Sequence, residues 1–328
     1  MAPLFSIVIP TYNRARRVAA AVRSVLAQAE TAWECFVVDD GSNDETKQTL
    51  SQFLDPRIKF VFNNCNRGQH ACRNQAIGMA QAPWIAFLDS DDLYLPQRLA
   101  VLREAIEGRP SVGFWFTNAY VWRFDRVIGT VFDSARSIPE GRVPGWYAIS
   151  DRFLPYVTTT AVIRREAFHK TGLFREDLRI LEDTELYSRM LAGGLEVGSV
   201  RRPLAVRFLH EEQITRDYRK DFEEALEALR SSGAPPDEAA RVRENLVLEV
   251  AEYLWRDLQP GAARQLLEHE LPGRRGRAYW QAFAPSSVLG VLKKLRAGYL
   301  WLRHHPALAG SDRREVSRFV SRMMSGAA

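Results

Sequence analysis

At 328 residues, a formal net charge of +5 and a mean hydropathy of -0.26, the chain is long enough to bury a large core, and one domain plus an appendage is expected. No run of about 18 uncharged apolar residues occurs, so a membrane-spanning helix is excluded, and the start Met1-Ala-Pro-Leu-Phe-Ser lacks the basic and apolar regions of a secretory leader. Cys35, Cys65 and Cys72 are odd in number and lack metal-ligand spacing, which predicts reduced thiols in a cytoplasmic protein.

In chain order, Phe5-Ser-Ile-Val-Ile-Pro10 reads as a buried strand ended by Pro10, which cannot donate to a ladder. Residues 15–29 place Val18, Val22, Val25 and Leu26 at helical spacing. Cys35-Phe-Val-Val38 is a second apolar strand, closing in Asp39-Asp40-Gly41-Ser42, and residues 46–54 form a helix. A third strand is expected at residues 58–62, another helix at 71–80, and a fourth strand at Ile85–Leu88. This alternation predicts an α/β, Rossmann-like domain with a mainly parallel sheet, in which ligands bind beyond the carboxyl ends of the strands. The polar clusters Thr11-Tyr12-Asn13, Asp39-Asp40, Asn66-Arg67-Gly68 and Asp89-Ser90-Asp91 all fall at such ends.

The fourth strand runs into Asp89, Asp91 and Asp92, three carboxylates within four positions. Like charges there repel unless a cation neutralises them, and hard oxygen ligands suit Mg²⁺ or Mn²⁺ together with phosphate. A solvated acidic turn is the alternative that this motif alone leaves open. Residues 111–165 are rich in aromatics, read as strands and loops whose rings serve as core or pocket wall. Farther on, Leu186, Met190 and Leu191 share a helical face, which leaves Glu182 and Asp183 at that helix's N-terminal end.

From about residue 219 the texture changes to charged helices rich in alanine and leucine, which divides the chain into a catalytic unit at 1–218 and a helical region at 219–328. Residues 242–258 and 262–271 resemble a helical hairpin, and 286–305 read as a basic amphipathic helix. Residues 271–328 hold 11 Lys/Arg against 2 Asp/Glu. That helix either docks on an anionic membrane surface or packs its stripe on protein. No recognised module accompanies the charge, so nucleic acid is not an expected partner.

Taken together, Val8-Ile-Pro-Thr-Tyr-Asn-Arg14, Val37-Val-Asp-Asp-Gly-Ser42, Asn66-Arg-Gly68 with Arg73-Asn74, Phe87-Leu-Asp-Ser-Asp-Asp92 and Glu182-Asp183 occur in the order and spacing of family 2 glycosyltransferases. The resemblance covers residues 4 to about 215 and implies a GT-A fold and an inverting enzyme that uses a UDP-linked nucleotide sugar. It matches Asp91 to the metal-ligating carboxylate for Mn²⁺ or Mg²⁺ and Asp89, with Ser90 beside it, to the ribose or a metal-bound water. Asp40 matches the residue that accepts a hydrogen bond from uracil, with Asp39 in support, while Pro10, Tyr12 and Gly68 belong to the nucleoside side. Arg73 falls on the diphosphate side or in a surface salt bridge. Asp183 matches the general base and Glu182 the neighbour that contacts sugar or acceptor. His210 matches a position near metal and diphosphate, although Glu211, Glu212 and Gln213 replace the serines that often follow it. Asp92 has either a direct role or that of a solvated neighbour or helix cap.

These matches imply a glycan or lipid-linked acceptor in surface polysaccharide synthesis and a place in the cytoplasm, peripheral to the inner face of the membrane. Any homo-oligomer would use the C-terminal helices. A haloacid-dehalogenase-type phosphatase also places D-x-D after a strand, but needs it on the first strand with Thr or Val where this chain has Leu93. A catalytically inactive sugar-nucleotide-binding module is the non-enzyme alternative.

Overall fold

The computed structural model describes residues 2–133, 136–149, 157–178, 180–209, 218–256, 259–273 and 310–326. Strands β1 (Phe5–Thr11), β2 (Trp33–Asp39), β3 (Ile58–Phe62) and β4 (Trp84–Phe87) alternate with helices α1 (Ala15–Leu26), α2 (Thr46–Leu50) and α3 (Gln69–Met79). Next come β5 (Leu93–Tyr94), α4 (Arg98–Gly108), β6 (Phe114–Arg123) and β7 (Arg126–Thr130). A 3-10 turn at Thr158–Thr160 leads into β8 (Ala161–Arg164), α5 (Arg165–Thr171), α6 (Glu182–Ala192) and β9 (Val197–Phe208). The helical region contributes α7 (Tyr218–Ser231), α8 (Pro236–Arg256), α9 (Pro260–Glu270) and α10 (Gly310–Ser325).

One sheet runs β3-β2-β1-β4-β8-β6-β9-β5, with β7 on β6. Its first four strands are parallel, as expected. Beyond β4 the pairing turns mixed: β8 runs antiparallel to β4 and to β6, whereas β6 and β9 are parallel. The parallel strands are apolar throughout because both faces are covered. Val8, Phe36 and Phe87 face α3, α5 and α6, while Ile7, Ile9 and Val37 face α1 and α4.

Pro10 does not end β1, which continues to Thr11. The reason lies in the ladder. Leu88 N–H donates to Val8 C=O at 3.0 Å, and β1 pairs with β4 only as far as Val8. Position 10 points toward β4, as position 8 does, so the missing N–H falls where that ladder has already stopped. Helices α1 and α2 end earlier than their sequence patterns suggest, at Leu26 and Leu50.

The expected hairpin appears as α8 and α9, whose Val242, Val247, Ala263 and Leu267 pack with α7 and with Trp146 and Ile149. Pro236 opens α8 at a position where a missing N–H has no cost. The helix expected at 286–305 lies outside the described residues. Helix α10 packs Val316, Val320 and Met323 against Ala20 of α1 and against Leu93, Tyr120 and Trp122. Arg23 Nη1 also donates to Met323 C=O at 2.7 Å. No helix among the described residues is long and apolar enough to cross a membrane.

Candidate active site

A cleft of about 170 Å³ opens at the carboxyl ends of β1 and β4. It is lined by Pro10, Arg14, Gln69, Arg73, Asp89, Ser90, Asp91, Asp92, Val157, Thr158, Ile180, Glu182, Asp183 and Arg207. The fold thus brings together eight residues singled out from sequence: Pro10, Arg73, Asp89, Ser90, Asp91, Asp92, Glu182 and Asp183. Tyr12, Asp39, Asp40 and Gly68 stand apart from this lining, at the neighbouring ends of β1 and β2 and the start of α3. His210 lies outside the described residues.

The floor of the cleft is an arginine network. Arg73, 1% exposed, donates from Nη1 to Glu182 Oε1 and from Nη2 to Asp89 Oδ1, each at 2.8 Å. Gln69 Nε2 adds a bond to the same Glu182 oxygen at 2.7 Å. Arg73 is therefore no surface pair. Burial opposes its charge, but Asp89, Glu182 and Asp183 outweigh that cost and hold the guanidinium protonated. Burial drives the Glu182 carboxyl up to about 8; Arg73 pulls against that rise, and Asp183 adds to it. Glu182 Oε2 is buried without a hydrogen-bond partner among the described residues.

Asp183, the next residue, is half-buried and differently held. Its Oδ2 accepts Thr158 Oγ1–H at 2.7 Å, and its Oδ1 accepts the Thr184 N–H at 2.6 Å. Helix α6 starts here because three acids, Glu182, Asp183 and Glu185, favour the positive end of its dipole. Two adjacent carboxyls in unlike surroundings suit separate tasks.

At the end of β4, Asp91 pairs with Arg14 Nη1 at 2.6 Å. Asp92 is neither solvated nor a helix cap. It is 3% exposed, accepting Thr159 Oγ1–H at 2.6 Å and Phe208 N–H at 2.9 Å. Burial, then the charges of Asp91 and Asp89, pushes its carboxyl well above the usual range.

On the neighbouring rim, both Asp40 oxygens accept backbone N–H groups, from Arg67 at 2.9 Å and Gly68 at 2.8 Å. The buried Cys72 thiol lies against the same carboxylate, and burial together with that charge pushes the thiol up. Asp39 accepts Ser42 Oγ–H and Ser42 N–H, and burial raises its carboxyl despite those bonds. Gly68 has φ +95°, and a Cβ there would meet the His70 ring at 2.5 Å, so glycine is required to turn the chain into α3. Tyr12 is 41% exposed, and Asn13 at φ 51° accepts Asn43 N–H at 2.9 Å, which ties this turn to the loop after β2.

Sequence reasoning missed the cleft residues Gln69, Thr158 and Arg207 and the role of Arg14. Arg14 lies inside a motif and Arg207 beside His210, so position alone gave a signal for both; a threonine triplet gave none.

A divalent ion fits this donor set. Asp89 and Asp91 offer hard oxygens at one cleft, and an ion of the Mg²⁺ or Mn²⁺ type needs only one or two carboxylates when phosphate and water complete its shell. No group of three His, Cys, Asp or Glu forms an all-protein cage among the described residues.

Comparison with known proteins points to one family. The family described as "Glycosyl transferase family 2" matches residues 6–172. WcaA of Escherichia coli (strain K12), named for glycosyl transfer in colanic acid biosynthesis, is 31% identical over 229 residues, 66% of this chain and 77% of that protein. The solved structure of Staphylococcus aureus TarS 1–349 in complex with UDP superposes with a TM-score of 0.59 at 17% identity, covering 91% of this chain and 92% of that one. Mannosyltransferase PcManGT from Pyrobaculum calidifontis, in complex with GDP-Man and Mn²⁺, gives a TM-score of 0.59 at 17% identity over 100% of this chain and 86% of that one. The two solved structures share the GT-A fold, and with half of its length matched by the family profile, the chain belongs to glycosyl transferase family 2.

Proposed function

We propose that the chain transfers a sugar, with inversion, from a nucleoside diphosphate donor, UDP-linked, to a hydroxyl of a glycan or lipid-linked acceptor in surface polysaccharide synthesis. The observation that carries this reading is that Asp89 and Asp91 at the end of β4 and Asp183 at the start of α6 line one cleft. One pair of acids suits the diphosphate end, and the third suits the attacking hydroxyl. The UDP and the GDP-mannose with Mn²⁺ bound by TarS and PcManGT support a nucleotide donor and a divalent ion. The colanic acid assignment of WcaA supports a polysaccharide product.

Under this reading Mn²⁺ or Mg²⁺ held by Asp91 and Asp89 supplies Lewis-acid stabilisation of the diphosphate leaving group. Arg14 and Arg207 bring guanidinium groups to the same cleft, suited to phosphate oxygens. Asp40, fixed by the Arg67 and Gly68 amides at the end of β2, reads the base. Asp183, its oxygens already oriented by Thr158 and Thr184, takes the proton from the acceptor hydroxyl as that oxygen attacks the anomeric carbon. Glu182, fixed by Arg73 and Gln69 on the floor of the cleft, stands beside the base and faces sugar or acceptor.

The test is release of UDP from UDP-sugars in the presence of Mn²⁺ and a lipid-linked acceptor. Asp183→Asn should lower turnover by about 10²–10⁴-fold while donor affinity by calorimetry stays unchanged. Normal turnover in that variant would refute the assigned base.

A further inference from the structure

The turn Thr158–Thr160 entered the reading above through one hydroxyl alone, yet it touches both ends of the cleft. All three threonines are buried, at 4%, 0% and 1% exposure, and each hydroxyl is committed. Thr158 Oγ1–H donates to Asp183 Oδ2 at 2.7 Å. Thr159 Oγ1–H donates to Asp92 Oδ2 at 2.6 Å, and the same oxygen accepts Asp89 N–H at 3.1 Å. Thr160 Oγ1–H turns back to Val157 C=O at 2.7 Å, and Thr160 C=O accepts Arg98 Nη2 at 2.9 Å. Arg98 is itself fully buried and also bonds Thr117 Oγ1, so the turn is pinned from behind by the N-terminus of α4.

Three consecutive residues therefore grip the acidic run after β4 with one side chain and the carboxylate at α6 with another. A hydroxyl that uses both donor and acceptor cannot rotate without losing a buried bond. Asp183 has its other oxygen fixed by its own helix at Thr184. The Thr158 bond is what ties it to the opposite wall.

We infer that Thr158 is a positioning residue for Asp183, and that the Thr158–Thr160 turn sets the base in register with the diphosphate end of the cleft. This rests on the reading of Asp183 as the general base. Near-attack geometry is sensitive at this scale, since a displacement of about 1 Å can cost about 10²-fold in rate.

The experiment compares Thr158→Val, Thr158→Ala and Thr158→Ser with Asp183→Asn, measuring kcat, donor KM and donor affinity by calorimetry alongside melting temperature. Thr158→Val keeps the shape and removes the hydroxyl. It should lower kcat by about 10–100-fold with donor KM and affinity within about twofold, and Thr158→Ser should recover most of the rate. Should Thr158→Val and Thr158→Ala keep wild-type kcat while Asp183→Asn is dead, the positioning role fails and the base reading stands. Should Asp183→Asn turn over normally, the base reading itself fails. Equal losses in Val, Ala and Ser, or losses that track melting temperature and donor affinity, would reduce the turn to a structural element and overturn the inference.

Discussion

The two arginines that meet carboxylates in the cleft differ in depth, and depth decides what each is able to do. Arg73 lies on the floor with Glu182, at 1% and 2% exposure, while its second partner Asp89 reaches up to 26%. Arg14 with Asp91 lies at the rim, at 27% and 10% exposure. Removing one partner from a desolvated network leaves a charge with nowhere to go, at a cost of about 3–5 kcal/mol. Arg14 is still reached by water, so it is the partner able to swing away, while Asp91 stays in the cleft to meet another cation. The floor is fixed scaffolding and the rim is open to replacement.

The strongest way to break this comparison is Arg73→Met. It should destabilise the protein by about 3–5 kcal/mol, read in a chemical denaturation curve. A change under about 1 kcal/mol would put the floor on the same footing as the rim. Asp91→Asn probes the rim and should move the denaturation midpoint less than Arg73→Met does. It should weaken Mn²⁺-dependent donor binding by about 10–100-fold, seen as a lost thermal shift with UDP-sugar and Mn²⁺; unchanged binding would detach Asp91 from the metal reading.

A third test is pH dependence. Glu182, with its carboxyl raised from the ordinary 4.5 to about 8, binds its proton more tightly folded than unfolded. Folding stability should therefore fall as pH rises from about 5 to 8, because the unfolded chain sheds that proton first. Glu182→Gln should flatten that slope in melts taken across the range. An unchanged slope would place its origin elsewhere.

The parallel half of the fold was legible because strands buried on both faces read as uninterrupted apolar runs, with the acidic motifs directly at their ends. The glutamate–aspartate pair was found for a similar reason: an apolar stripe at Leu186, Met190 and Leu191 fixes where α6 begins. Much of the rest depends on distance along the chain. Thr158 meets Asp183 across 25 residues and Thr159 meets Asp92 across 67, and a threonine has no periodicity by which to announce such partners. Arg73 was open to reading as a surface residue because α3 buries polar side chains, His70 and Arg73, along with Ala71, Cys72, Ala76 and Ile77, so its pattern lacks a clean apolar face. Asp92 stayed open between a direct role and a solvated neighbour or cap because only the folded β9 supplies the Phe208 amide that it accepts. Helix α4 drew no attention, with a fully buried arginine, Arg98, in its first turn.

Helix α1 carries a consequence for how the chain is made. Its Val18, Ala21, Val22 and Val25 pack on the sheet, but Ala20 and Arg23 are covered by α10, whose Met323 carbonyl lies 300 residues downstream of Arg23. On a ribosome the sheet and α1 emerge long before that cover does. The nascent protein therefore passes through an interval in which the outer side of α1 and the nearby Trp122 lie bare, a stretch of synthesis in which chaperone capture competes with self-association.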